Sequence, residues 1–176
     1  VDVRVMYDGG CEFALLPHDY PKRLKALGIQ CKVFAPVSPF VSTHYNYRDH
    51  RKILVIDGHT AFNGGVNLAD EYINQKVKFG HSKDTALMLK GEAVKSFTLM
   101  FLQMWGIDEK ENIPLHFLSY SSSSLEQKKG YVIPYGDCPL DDDKLGERVY
   151  MDILNRSLSY VHIMTPYLIL DNEMIT

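Results

Sequence analysis

The sequence predicts an α/β protein in which a mixed sheet is flanked by helices. Short runs in which apolar and polar residues alternate recur along the chain, as in VDVRVMYD at 1–8. Apolar residues at helical spacing occupy stretches between such runs, as at 94–105. Strands that alternate with helices are typical of a sheet packed by helices.

Turn residues bound the predicted strands. Gly9-Gly10 follows the first strand, and Asp57-Gly58 divides two apolar runs, which predicts a hairpin. The strands after the first are QCKVFAPV (30–37), KILVIDG (52–58), TAFNGG (60–65), DTALMLKG (84–91), GYVIPYG (130–136) and YVHIMTPYLI (160–169).

Four segments predict helices. In 94–105, apolar and aromatic residues recur at helical spacing, and we interpret this stripe as core packing rather than a cofactor site. The other helices are PKRLKALGI (21–29), which Gly28 ends, NLADEYIN (67–74), for which Asn67 is a candidate N-cap, and a helix from about Lys144.

The composition divides the chain into two parts. Residues 108–130 are first acidic and then contain SSSS and LEQKKG, which predicts a linker between parts at 1–107 and 131–176. No apolar run approaches the roughly 18 residues of a membrane span. The chain starts without Met inside a predicted strand and stops two residues after NEM, so we expect a fragment.

Charge and cysteine content exclude other classes of site. The net charge of −3 gives no general attraction to nucleic acid, so anion binding has to be local. The three cysteines are isolated from one another, which argues against a zinc site or a disulfide framework and favours a reducing compartment.

One stretch, YRDHRKILVIDGHTAFNGGVN (47–67), concentrates residues suited to phosphate chemistry. His50 and Lys52 are two residues apart in a predicted strand, so both side chains are expected on one face. A lysine neutralises phosphodiester oxygens while a neutral imidazole attacks phosphorus. Gly64-Gly65 allows backbone to approach the phosphate, and the Asn67 amide can donate to it.

The full spacing of this stretch resembles the signature of the phospholipase D superfamily. His50 is followed at the intervals of that signature by Lys52, Asp57, Gly64 and Asn67. Further segments resemble the bacterial cardiolipin synthase branch: NYRDHRKILVIDG, FNGGVNLADEY, DTALMLKGEAV with FLQMW, and TPYLILDNEM. The resemblance implies most of a first phospholipase D-like half at 1–107 and the start of a second half at 131–176, which stops before its own motif.

The resemblance also implies roles for single residues. His50 is the expected nucleophile, Lys52 and Asn67 bind phosphate, and Asp84 orients His50 through the other ring nitrogen. The family often has an aromatic residue and Arg just before that Asp, whereas this chain has Ser82 and Lys83. The remaining candidates are Asp57, counted with the catalytic residues as a polar-network member, and Gly64, Gly65, Arg48 and Tyr47 for substrate binding.

The implied activity is phosphatidyl transfer between two phosphatidylglycerol molecules through a phosphohistidine, giving cardiolipin and glycerol. No cofactor and no metal are expected. We expect the parent protein at a bacterial cell membrane, with its active site on the cytoplasmic side, and the fragment itself to be soluble. Because the second motif is missing, the fragment alone is expected to be inactive unless two copies pair as a homodimer.

Two other interpretations stay open. The first is another superfamily enzyme, either a phosphodiesterase or nuclease or a different phosphatidyltransferase; the acidic balance weighs against a nuclease, and no nucleic acid partner is expected. The second is a non-catalytic module that binds phosphate or lipid headgroups.

Overall fold

The computed structural model of the protein describes residues 1–37, 48–78, 80–107, 115–119, 130–138, 141–165, 170 and 172–175. The chain divides into two compact units, Val1–Pro134 and Tyr135–Thr176. Parallel and antiparallel sheets occur together with helices, which confirms the predicted α/β class.

The chain begins with a parallel strand pair. Strand β1 (Arg4–Asp8) pairs with β2 (Gln30–Phe34), and two short helices, α1 (Gly10–Ala14) and α2 (Tyr20–Ala26), form the crossover. Both strands and α2 were predicted, whereas the parallel pairing of the strands was not. Helix α2 ends shortly before Gly28 as expected. Helix α1 was not predicted from the sequence.

The second sheet carries the predicted hairpin. Strands β3 (Ile53–Ile56), β4 (Thr60–Gly64) and β5 (Ala86–Lys90) are antiparallel in the order β3-β4-β5. At the β3–β4 turn, Asp57 and Gly58 have φ of 52° and 61°, and His59 N donates to Ile56 O at 3.0 Å. Two positive φ values are the signature of the tight hairpin turn that Asp-Gly favours.

The core lies between this sheet and α3 (Val94–Trp105), the helix that the aromatic stripe predicted. Ala61 and Val94 are fully buried and Phe97 is buried beside them, and Ile53, Val55 and Leu89 pack against these three residues. The opposite face of the sheet exposes Leu54, Ile56 and Met88. One face of the sheet is therefore buried against α3, and the other face is exposed.

Lys32 links the parallel pair to α3. Its Nζ donates to the carbonyl of Trp105, the last residue of the helix, at 2.6 Å and lies 4.8 Å from the centroid of the Trp105 ring. A cation at a helix C-terminus is favoured by the orphan carbonyls there. Both sheets of this unit are thus connected through α3.

The remaining described elements are three helices. A 3₁₀ helix spans Leu115–Ser119 in the first unit. The second unit contains α4 (Leu145–Arg156), which confirms the helix predicted from about Lys144, and α5 (Asn172–Ile175). No residue of α4 is buried.

Three predicted elements are wrong. Residues 67–74 form bends and turns instead of a helix. At the end of this segment Asn74 adopts φ 59°, and the amides of Gln75 and Lys76 both donate to the Asp70 carbonyl. Residues 130–136 and 160–165 are not strands, and 166–169 lie outside the described residues. Alternation predicts a strand, but a strand also needs a neighbour to pair with, and sequence alone does not identify one.

Candidate active site

The antiparallel order of the sheet gathers the signature residues at one end. The start of β3, the end of β4 and the start of β5 share this end, since Ile53 lies opposite Asn63 and Gly64 lies opposite Ala86. We call it the site end. The signature residues at or just beyond it are His50, Lys52, Gly64, Gly65, Asn67 and Asp84.

His50 and Lys52 precede the strand instead of lying within it, because β3 begins at Ile53. The His50 side chain is exposed and that of Lys52 is half-buried. Lys52 Nζ donates to the His50 carbonyl at 2.6 Å, and the side-chain Nδ2 of Asn63 donates to the Lys52 carbonyl at 3.1 Å. These contacts hold the ammonium beside the His50 backbone.

Burial and nearby charges act in opposite directions on Lys52. Desolvation lowers the pKa of Lys52, while the negative charges of Asp49 and Asp84 oppose this effect. A partly desolvated ammonium interacts more strongly with an anion than one in open water. Lys52 is therefore suited to neutralising a phosphate.

Close backbone approach brings the end of β4 against the start of β5. A Cβ on Gly64 would lie 2.7 Å from Ala86 Cα, and a Cβ on Gly65 would lie 2.5 Å from Asp84 Oδ1. The Gly65 amide donates to the Thr85 carbonyl at 3.3 Å. The two glycines therefore have a geometric role: they leave space for the segment that carries Asp84.

Asp84 is exposed, and its carboxylate accepts from the Thr85 amide at 2.7 Å. Among the described residues, no hydrogen bond joins Asp84 to His50, so the expected orienting contact stays a prediction. Asn67 is half-buried two residues beyond Gly65, and its carbonyl accepts from the Ala69 amide at 3.0 Å.

The candidate headgroup contacts have separate outcomes. Tyr47 lies outside the described residues. Arg48 Nη1 donates to the Ala35 carbonyl at 2.9 Å and lies 3.4 Å from Asp8 Oδ1. The guanidinium of Arg48 is thus engaged by the protein itself.

Asp57 lies away from the other candidates. It follows β3, whereas His50 and Lys52 precede it, and the four residues of the strand extend over about 13 Å. Its positive φ and exposed side chain belong to the hairpin turn.

The segment between Asn67 and Asp84 has a feature that was not predicted from the sequence. Asn74 Nδ2 donates to the Ser82 carbonyl at 2.9 Å, and its Oδ1 accepts from the Ser82 amide at 2.7 Å. This Asn74–Ser82 clamp borders a pocket of about 120 Å³, which is lined by Glu71, Tyr72, Gly80, His81 and Ser82. Asparagine tolerates positive φ better than most residues, so a turn at Asn74 could be suspected from the sequence. This preference does not identify Ser82 as the residue to which Asn74 bonds.

Two further properties concern metals and membranes. In the described part of the chain, no three His, Cys, Asp or Glu side chains form a group able to hold a metal ion. Over the same residues, no helix has both the length and the apolar character needed to cross a membrane.

Comparison with known proteins identifies relatives along the whole chain. This chain is 62% identical over 176 residues to an uncharacterized protein of Streptococcus mutans. The alignment covers 99% of this chain and 38% of that protein. The chain is 33% identical to the cardiolipin synthase of Alkalihalophilus pseudofirmus and 35% identical to that of Halalkalibacterium halodurans. Each of these two alignments covers 100% of this chain and 35% of the relative.

The chain therefore spans about a third of the length of the curated relatives it matches. No family model and no solved structure matches it. The similarity to proteins named cardiolipin synthase confirms the resemblance inferred from the motif and its flanking segments.

Proposed function

We propose that this homologue of the bacterial cardiolipin synthases is the first-motif part of a phosphatidyltransferase of the phospholipase D superfamily. The observation that carries the proposal is the convergence of His50, Lys52, Gly64-Gly65, Asn67 and Asp84 at one end of one sheet. The similarity of the entire chain to cardiolipin synthases supports the choice of substrate class.

In the first step, a neutral His50 nitrogen attacks the phosphorus of phosphatidylglycerol. A P–N bond forms, the P–O bond to the headgroup breaks, and the departing alkoxide takes a proton to leave as glycerol. The product on the protein is a phosphatidyl-histidine. Lys52 stabilises the charge that develops on the non-bridging oxygens, and Asn67 donates a hydrogen bond to them.

In the second step, the free hydroxyl of another phosphatidylglycerol attacks the phosphorus. The hydroxyl loses its proton, the P–N bond breaks, and cardiolipin leaves while His50 returns to its starting form. Asp84, whose charge acts on Lys52, helps to keep that ammonium protonated. Asp84 also lies at the correct end of the sheet to orient His50.

A general acid is required for the first step, and we assign it to the histidine of a second motif outside this chain. The 176-residue chain alone is therefore expected to be inactive, unless two copies bring two His50 side chains together. We place the intact protein at a bacterial cell membrane, where its substrates are.

The test is cardiolipin formation by the intact protein in membranes, with labelled phosphatidylglycerol. His50→Ala is expected to lower the rate by at least about 10³-fold, because it removes the nucleophile. His59→Ala is the matched control, since this half-buried histidine of the same sheet lies in the hairpin turn; its rate should stay within about 3-fold of wild type.

Equal cardiolipin formation by His50→Ala and wild type would refute the role of His50. If neither protein forms cardiolipin, but wild type cleaves another phosphodiester and His50→Ala does not, the substrate assignment is wrong and the chemistry stands. If both bind phosphatidylglycerol vesicles and neither turns over any phosphodiester, the binding-module interpretation replaces the enzyme.

A further inference from the structure

Asp8 connects the parallel strand pair to the segment that carries His50. It is the last residue of β1, and its side chain is only 15% exposed. Its carboxylate accepts from the Gly10 amide at 2.7 Å and from the Asp49 amide at 3.0 Å, and it lies 3.4 Å from the Arg48 guanidinium. Bonds from donors to an ionised carboxylate are among the stronger hydrogen bonds in proteins.

The two hydrogen bonds that Asp8 accepts from backbone amides differ in what they do. The bond to Gly10 is local and belongs to a turn of a kind that Asp often forms. The bond to Asp49 spans 41 residues of sequence and ends at the residue directly before His50. A purely local role for Asp8 would require only the first bond.

Gly10 is compatible with this geometry because it has no side chain. A Cβ at Gly10 would lie 2.9 Å from Asp8 Oδ1, closer than van der Waals contact allows. Gly10 thus does more than follow the first strand, since the absence of a side chain there leaves room for the Asp8 carboxylate.

Side chains also hold the chain on the other side of His50. The Asp49 carboxylate accepts from Arg51 Nε at 2.8 Å and Nη2 at 3.1 Å, and Lys52 Nζ donates to the His50 carbonyl. Because His50 precedes β3, no strand ladder fixes its backbone. Its position depends on these side-chain contacts. Asp8 bonds to the backbone of this segment from the other sheet, beside the contact of the Arg48 side chain with the Ala35 carbonyl.

We propose that Asp8 is a positioning residue for His50, which rests on the function proposed above. Asp8 holds the peptide that joins Arg48 and Asp49, and through it the backbone from which His50 reaches the phosphorus. Small displacements of a reacting group lower the rate of a chemical step more than they affect substrate binding.

The experiment compares Asp8→Ala and Asp8→Asn with Asp19→Asn in the intact protein. Asp19 is the matched control because its carboxylate also pairs with an arginine, Arg23 at 2.9 Å, in a helix that precedes β2. Asp8→Ala should lower kcat by about 10- to 100-fold with KM within about 2-fold. Asp8→Asn keeps one acceptor oxygen and should recover part of the loss, and Asp19→Asn should match wild type.

Hydrogen exchange of the peptide containing residues 48–51 gives a second readout that does not need activity. Asp8→Ala should speed exchange of the Asp49 amide by about tenfold or more, whereas Asp19→Asn should not. Unchanged exchange, or a kcat per folded molecule equal to that of Asp19→Asn, would overturn the proposal. If His50→Ala is fully active while exchange rises as expected, the proposed function fails and the contact between Asp8 and this segment stands.

Discussion

The two ends of the three-stranded sheet contain the same kinds of side chain and use them differently. The site end has His50, Lys52 and Asp84, and the turn end has His59, Lys90 and Asp57. At the turn end, His59 Nδ1 lies 2.9 Å from the hydroxyl of its neighbour Thr60, and the Asp57 backbone adopts φ 52°. Both features are local.

The site end is built instead from contacts between distant parts of the chain. Asn63 donates to the Lys52 carbonyl, Gly65 leaves space for Asp84, and Asp8 accepts from the Asp49 amide. A histidine, a lysine and an aspartate thus make a candidate site only where separate segments converge. At the turn end, the same residue types serve to close a hairpin.

The largest expected effect separates Asp84 from Asp57. In the intact protein, Asp84→Asn should lower cardiolipin formation by about 10²- to 10³-fold, because it removes a charge beside Lys52 and the proposed orienting group of His50. Asp57→Asn should stay within about 3-fold, since asparagine also tolerates the positive φ of the turn. Initial rates measured in membranes test both variants. Equal losses of activity would show that the site end and the turn end of the sheet do not differ in the way proposed.

A smaller effect separates the two glycines of the site end. Gly65→Ala should displace the Asp84 carboxylate, which is the free end of a side chain, and lower the rate by about tenfold with little loss of stability. In Gly64→Ala the added Cβ would clash with the backbone of Ala86. This substitution should therefore lower the free energy of unfolding by about 2 kcal/mol or more.

Thermal melts together with rates per folded molecule distinguish these two results. A Gly65→Ala protein that melts as early as Gly64→Ala would show that the glycine serves the fold, and that Asp84 does not depend on it for its position.

The smallest expected effect concerns pH. Burial lowers the pKa of Lys52 from its ordinary value of 10.5, so its ammonium deprotonates at lower pH than an exposed lysine. As the pH is raised, activity should therefore begin to fall before pH 10.5 is reached. Lys52→Arg should move this limb upward, because arginine stays protonated, while Lys90→Arg at the turn end should leave it in place.

The same pKa fixes the sign of a stability effect. Between the lowered pKa and 10.5, the folded protein binds fewer protons at Lys52 than the unfolded chain does, so the contribution of Lys52 to stability rises with pH. Lys52→Met should remove this rise. If the alkaline limb of the pH–activity profile does not move in Lys52→Arg, a group other than Lys52 controls that limb.

Sequence alone determined the features that depend on neighbouring residues. The Asp57-Gly58 hairpin, the helix at Val94–Trp105 and the helix at Leu145–Arg156 follow from turn chemistry and apolar spacing. The motif spacing also identified His50, Lys52 and Asn67 as candidates, because a signature is a property of the chain. Their gathering with Asp84 at one end of the sheet also required β5 to pair antiparallel with β4, which the sequence pattern did not predict.

Which distant groups meet depends on how the whole chain folds. Asn74 clamps Ser82 instead of continuing a helix from 67, and Asp8 bonds to the Asp49 amide across 41 residues. The alternating runs at 130–136 and 160–165 lack strand structure despite their pattern. Asn and Asp side chains can accept from many backbone amides, and strands can pair with many edges. The partner is selected by proximity in the folded chain, which local sequence does not encode.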